Sequence, residues 1–147
     1  MARLISHLRR KEDGAELIEM AIVLPLLLLI IMGIVDFGFM FQRYVVLTNA
    51  AAEGARVSSL PGYTTADVVS RVAAYATNGG IAGAVTVDAI AVNLPGAGGV
   101  GSWPGRQVTV SHVYTFNYVG PIARLFGSGP NGTVTLRSRA TMRRQVP

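Results

Sequence analysis

Gly14-Ala15-Glu16-Leu17-Ile18-Glu19-Met20-Ala21-Ile22-Val23-Leu24-Pro25-Leu26-Leu27-Leu28-Leu29-Ile30-Ile31-Met32-Gly33-Ile34-Val35-Asp36 is the stretch on which the rest of the chain is arranged. From residue 20 to residue 41 there are 22 residues with one charge, Asp36. A helix of that length rises ~33 Å at about 1.5 Å per residue, which matches the hydrocarbon thickness of a bilayer. The run is too long for the core of a signal peptide, and Phe37-Gly38-Phe39-Met40-Phe41 follows it where a small-residue cleavage site would stand. It is apolar all round instead of on one stripe, which fits a buried amphipathic helix poorly. The reading is a membrane-spanning helix.

The flanks set its direction. Arg3, Arg9, Arg10 and Lys11 precede the run, offset by Glu12 and Asp13, so the leader holds +2 of the formal +5 and the rest of the chain +3. Four basic residues before the span, against Arg43 and Arg56 in the comparable stretch after it, put the N-terminus in the cytoplasm and the C-terminal part outside. The basic balance is therefore mostly a membrane flank and gives little support for nucleic acid. Cysteine is absent, which excludes disulfides, thiol catalysis and thiolate metal sites. The two histidines, His7 and His112, leave little for metal chemistry. No catalytic constellation appears, and no cofactor is implied.

Two features are odd for a plain anchor. Glu16 and Glu19 sit at the entrance of the span, where a buried carboxylate costs about 2.5–3.5 kcal/mol or more at the bilayer centre and so needs a partner. The unpaired N–H groups and positive end of a helix start offer one kind of partner. Pro25 is the second oddity, because it has no N–H for the carbonyl of Ala21 and should kink or locally open the helix.

A basic leader, Gly14, Glu19 five places later and then an apolar helix resemble the N-terminus of type IV prepilins and pseudopilins. More narrowly, residues 14–25, Gly33-Ile34-Val35-Asp36-Phe37-Gly38 and Thr48-Asn49-Ala50-Ala51-Ala52-Glu53-Gly54-Ala55-Arg56 resemble the TadE-like minor pilins of the tight-adherence (Flp) pilus system. The resemblance implies cleavage between Gly14 and Ala15 by a prepilin peptidase, with Glu19 acting in recognition or assembly. The new Ala15 amine would then lie one helical turn from Glu19 and could pair with it. Ala15 departs from the aromatic or methionine that usually begins a mature type IV pilin. Met20 departs from the glutamate-tyrosine pair of the shorter major Flp pilins, which argues for a minor subunit.

Past the span the helix should continue to about residue 57, with Phe37, Phe41, Tyr44, Val45, Thr48, Ala51, Ala52 and Ala55 at three- and four-residue spacing. From residue 15 that is ~64 Å at about 1.5 Å per residue. Ala50/Gly54 and Ala51/Ala55 put small residues one turn apart, which suits either the close approach of another subunit's backbone or the chain's own sheet. Asp36 and Arg43 share a face, and ordinary solvation accounts for Arg43, while Asp36 stays open between solvation and a contact. Leu60-Pro61-Gly62-Tyr63 breaks the stalk, and Thr64-Thr65-Ala66-Asp67 starts a short helix with Val68, Val69, Val72, Ala73 and Ala76 on its apolar face. Residues 84–93 read as a strand whose alternation is blurred by Ile90 and Val92, as a bulge or two-sided burial would do. Residues 94–105 read as a Gly/Pro loop with Trp103 as a lid. Residues 106–118 and the segment after Asn131-Gly132 alternate as strands, with His112 inward as a core histidine and Arg137 and Arg139 outward.

The whole reads as an α+β, pilin-like chain: residues 1–14 as a basic prepilin leader, 15–57 as transmembrane helix and stalk, and 58–147 as an extracytoplasmic domain with a short second helix and about three antiparallel strands. By resemblance its role is structural, in assembling or priming a pilus. The expected partners are other pilin or pseudopilin subunits through the N-terminal helix, the prepilin peptidase, the inner-membrane assembly platform and membrane lipids. The sites are Gly14 and Ala15 for processing, Glu19 and Pro25 for assembly, and Glu16, Asp36, Gly54, Arg137 and Arg139 for further interactions. Two rivals remain: an unprocessed envelope anchor whose outer domain binds a secretion-system component, and a surface- or DNA-binding tip subunit.

Overall fold

The computed structural model describes residues 2–95, 102–124 and 132–145. In chain order the elements are α1 (Ala2–Ser59), α2 (Thr65–Asn78), β1 (Thr86–Pro95), β2 (Ser102–Thr115), α3 (Gly120–Ala123) and β3 (Thr133–Arg143). The strands form one antiparallel sheet in the order β1-β2-β3. The architecture is thus α+β, with a long apolar N-terminal helix, a short second helix and a three-stranded sheet.

α1 is longer than the sequence suggests at its start, because the leader is part of it. Leu, Arg, Lys, Glu and Ala are strong helix formers, and they outweigh the lack of apolar periodicity there. Pro25 lies inside α1 and removes one backbone donor, yet the chain stays helical on both sides of it. The turn after α1 uses Gly62 at φ +88°, a conformation that strains residues with a Cβ. α2 then begins with the expected capping box: the Asp67 N–H donates to the Thr64 hydroxyl at 3.3 Å, and the Thr64 N–H donates to the Asp67 carboxylate at 2.8 Å. Its Val68, Val72 and Ala76 are buried on one face.

α2 and the sheet cover one side of the C-terminal half of α1. Leu47, Ala50, Ala51 and Ala55 of α1 meet Val68 and Val72 of α2 and Val108, Val110 and Tyr114 of β2 in a single apolar core. β2 runs down α1, with Val108 beside Gly54 and Asn117 beside Asp36. From Val108 to Asn117 the chain advances ~30 Å at about 3.3 Å per residue, and from Gly54 to Asp36 the helix spans ~27 Å at about 1.5 Å per residue. Strand and helix therefore stay in step. At the far end the Gln145 N–H donates to the Ser59 carbonyl at 3.0 Å, closing the last strand onto the end of α1.

Two expectations of the sheet change. The pairing of β1 with β2 is unbroken from Thr86↔Ser111 to Pro95↔Ser102, so no bulge interrupts β1, and Ile90 simply faces outward at 51% exposure. In the segment read as a loop from Leu94 to Gly105, the described residues 94–95 and 102–105 are strand, with Leu94 paired to Trp103 and Pro95 to Ser102. Pro104 is accommodated there by using its carbonyl, which accepts the Arg144 N–H at 2.9 Å. The glycines of residues 96–101, the side chain of Trp103 and Asn131 lie outside the described residues.

Candidate functional site

Residues 15–35 make no core with the rest of the chain. All are exposed except Gly33, and none of the apolar window of this segment is buried. Within Gly14–Ser59 the helix is long and apolar enough to serve as a single-pass membrane anchor. Ala15, Glu16, Glu19 and Pro25 all stand on this bare surface, and among the described residues neither glutamate has a hydrogen bond or ion pair within the chain. A Cβ on Gly14 would meet nothing within 4 Å, so packing does not require glycine there.

The bare helix ends at Asp36, which is 0% exposed. Its carboxylate accepts three successive backbone N–H groups, from Asn117 at 3.2 Å, Tyr118 at 2.8 Å and Val119 at 2.9 Å. Val119 caps the short helix α3, whose start carries Pro121, so these donors have no partner within α3 and form a concave nest for an anion. The Asp36 backbone carbonyl accepts the Tyr114 hydroxyl at 3.1 Å. Phe116 packs edge-on against Phe37 with ring centroids 5.7 Å apart, and against Tyr114 at 5.3 Å. The Arg43 guanidinium lies 5.4 Å from the Tyr114 ring centre, so Arg43 is a half-buried stacking cation and not merely a solvated charge. Burial pushes the Tyr114 phenol above its ordinary acidity range, the Asp36 charge adds to that, and Arg43 opposes it. A phenol held neutral in this way remains a donor to the helix.

Asp36 is therefore a latch. It fixes the loop after β2 to α1 at one height, and Val119 reaches further down, to within 4.0 Å of where a Cβ on Gly33 would lie.

The other predicted positions fall elsewhere. Gly54 faces inward: a Cβ there would lie 2.5 Å from Val72 Cγ2 and 3.1 Å from Val108 Cγ1. Of the two uses open to the small-residue stripe, the structure takes the second, packing beneath the chain's own α2 and sheet, and Gly54 is not presented to another subunit. Arg137 and Arg139 are exposed on the outer sheet face, opposite Ser111 and Thr109, some distance from both the latch and the bare helix. His112 is buried, with Nδ1 3.3 Å from the Ala84 carbonyl. Among the described residues no three His, Asp or Glu side chains converge as a metal site would need.

The bare helix and Asp36 both lie in α1, and the comparison with known families falls on that helix. Residues 14–56 match the TadE-like protein family. No match was found among the curated proteins or among the solved structures. The TadE-like segment begins at the glycine before Ala15, includes Asp36, and ends within the last turns of α1.

Sequence reasoning left the partners of Asp36 unnamed. Two signals pointed to them: an aspartate in a greasy helix demands hydrogen-bond donors, and Val119-Gly120-Pro121 has the composition of a helix start with donors to spare. Nothing in either signal joins residue 36 to residue 119, and only the three-dimensional register of β2 along α1 brings them together.

Proposed function

We propose that this chain is a minor pilin or pseudopilin of a tight-adherence (Flp) type pilus, anchored with its N-terminus in the cytoplasm and processed by a prepilin peptidase between Gly14 and Ala15. The match of residues 14–56 to the TadE-like family carries this reading, supported by the bare apolar helix that follows the glycine. The latch supports a particular depth for that helix in the bilayer. The backbone of residues 117–119 has no place in hydrocarbon, so the outer boundary lies no higher than the stretch from Gly33 to Asp36. Counting back ~30 Å at about 1.5 Å per residue puts the inner boundary between Asp13 and Glu16. The span is thus shifted toward the N-terminus relative to residues 20–41, and Glu19 lies ~4.5–9 Å inside the hydrocarbon instead of at its edge.

A submerged carboxylate with no partner among the described side chains is the element that an assembly step can use. After cleavage the Ala15 amine, cationic at neutral pH with an ordinary pKa near 8, sits one turn from Glu19. Pairing with that amine, in the same chain or in a neighbouring subunit, neutralises two groups that are both costly in lipid. The helix can then leave the bilayer for a bundle of like helices without exposing its apolar surface to water. The peptidase is the enzyme in this scheme and the chain its substrate.

Glu19→Ala tests the scheme. It should leave membrane insertion intact, since it removes a charge from the span, yet impair assembly. Normal piliation in cells carrying Glu19→Ala would remove the pairing step.

A further inference from the structure

We infer that the base of the outer domain is itself a lipid-contacting surface, seated in the headgroup zone of the membrane that α1 crosses; this rests on the anchor reading above. Tyr118 is 54% exposed although it lies in the loop that Asp36 fastens to the helix. Phe37 at 51% and Phe41 at 64% expose their rings on α1 just above the latch. Along the helix Phe37, Phe39 and Phe41 stand ~1.5 to ~7.5 Å above Asp36 at about 1.5 Å per residue. The interfacial zone on each side of the hydrocarbon is ~5–7 Å deep, and aromatic rings collect there because one end is apolar and the other wet.

The polar chemistry of the base fits the same place. Its three consecutive donors at residues 117–119 are spent on the Asp36 carboxylate, so they ask nothing of water. The Tyr114 hydroxyl is likewise spent on the helix backbone. A loop with its donors satisfied internally and the Tyr118 ring outward is fit for a zone where water is scarce. A second copy of the chain could also cover these rings, but the patch adjoins the lipid-facing helix: exposed apolar residues run from Met20 to Val35, broken only by half-buried Gly33, and resume at Phe37 on the far side of buried Asp36. That adjacency decides for lipid.

Single tryptophans placed in the full-length chain, with Trp103→Phe as background, test this in phosphatidylcholine vesicles brominated either near the headgroup or near the acyl-chain end. Leu28→Trp in the span should lose most emission to the deep bromines. Tyr118→Trp should lose more to the shallow than to the deep ones. Phe37→Trp, measured in parallel in case Tyr118→Trp misfolds, should behave as Tyr118→Trp does. Ile90→Trp on the outer sheet face should be quenched by neither. Quenching at position 28 with none at 118 and 37 overturns the lipid contact and leaves the anchor standing; no quenching at 28 overturns the anchor reading. Emission at 118 that stays unquenched but shifts with the protein-to-lipid ratio assigns the patch to a second copy and equally overturns the inference.

Discussion

Removing the carboxylate of Asp36 should free the base of the domain from the helix while leaving the core above it intact. In Asp36→Ala the N–H groups of Asn117, Tyr118 and Val119 lose one shared acceptor. Hydrogen bonds to a charged group are each worth about 1.5–3 kcal/mol by substitution, but three bonds to one carboxylate do not add, and freed donors at a part-buried surface regain some water. A net loss of about 3–5 kcal/mol follows. The Tyr114 hydroxyl still holds the backbone carbonyl of residue 36, so the defect should be local opening and not global unfolding. Hydrogen exchange of the full-length protein in detergent, followed on the peptide carrying residues 117–119, reads this directly. At about 1.4 kcal/mol per tenfold, protection there should fall about 100-fold or more. Asp36→Asn keeps one acceptor oxygen without the charge; in the native geometry that oxygen can serve Tyr118 and Val119 while Asn117 is left over, so roughly half the loss is expected. Exchange in Asp36→Ala within about threefold of wild type would refute the latch.

Two further substitutions probe the rest of the frame. Gly54→Ala would gain about 1 kcal/mol of helix propensity but drive a methyl group against Val72, and overpacking costs about 1–3 kcal/mol, so a net destabilisation is expected in denaturant melts. Pairing it with Val72→Ala should recover part of the loss, because the clash is with that side chain. The Asp67 carboxyl is held below its ordinary 3.8 by the Thr64 backbone N–H and then by the Thr64 hydroxyl. A carboxyl lowered in the folded state contributes stability that is present above its unfolded pKa and lost as pH falls through the lower, folded one. α2 should therefore weaken below about pH 4, and Asp67→Asn should flatten that part of the stability profile.

Much of this fold is legible in the residues, for reasons that are local. Thr64 and Asp67 announce the start of α2 because a capping box is satisfied within four residues, and the alternation from Val108 to Tyr114 announces β2 because the strand period is two. The strand stops at Thr115, however, and Tyr118, expected to face inward on it, is exposed in the loop beyond. What escapes the sequence is what distance along the chain hides. Ile90 breaks the apolar pattern of β1 only because the helices do not cover the outer sheet face, and no residue near it says so. Ala50, Ala51, Gly54 and Ala55 suit a neighbouring subunit as well as the chain's own α2, and only the placement of Val72 over Gly54 chooses. Pro104 reads as a loop residue because it lacks a donor, yet its carbonyl serves the Arg144 N–H. In the candidate site, Gly14 and Glu19 stand out through the resemblance of their segment to prepilins, whereas the clamp on Asp36 joins a carboxylate and an amide that lie 83 residues apart.

The N-terminus of the chain in its own membrane tests the central claim most directly. Mass spectrometry of the membrane-bound protein from cells with an active prepilin peptidase should find a mature chain that begins at Ala15, with the leader through Gly14 gone, and the full-length chain when the peptidase is absent. A chain that still begins near Met1 in peptidase-active cells would contradict it and leave an unprocessed envelope anchor in its place.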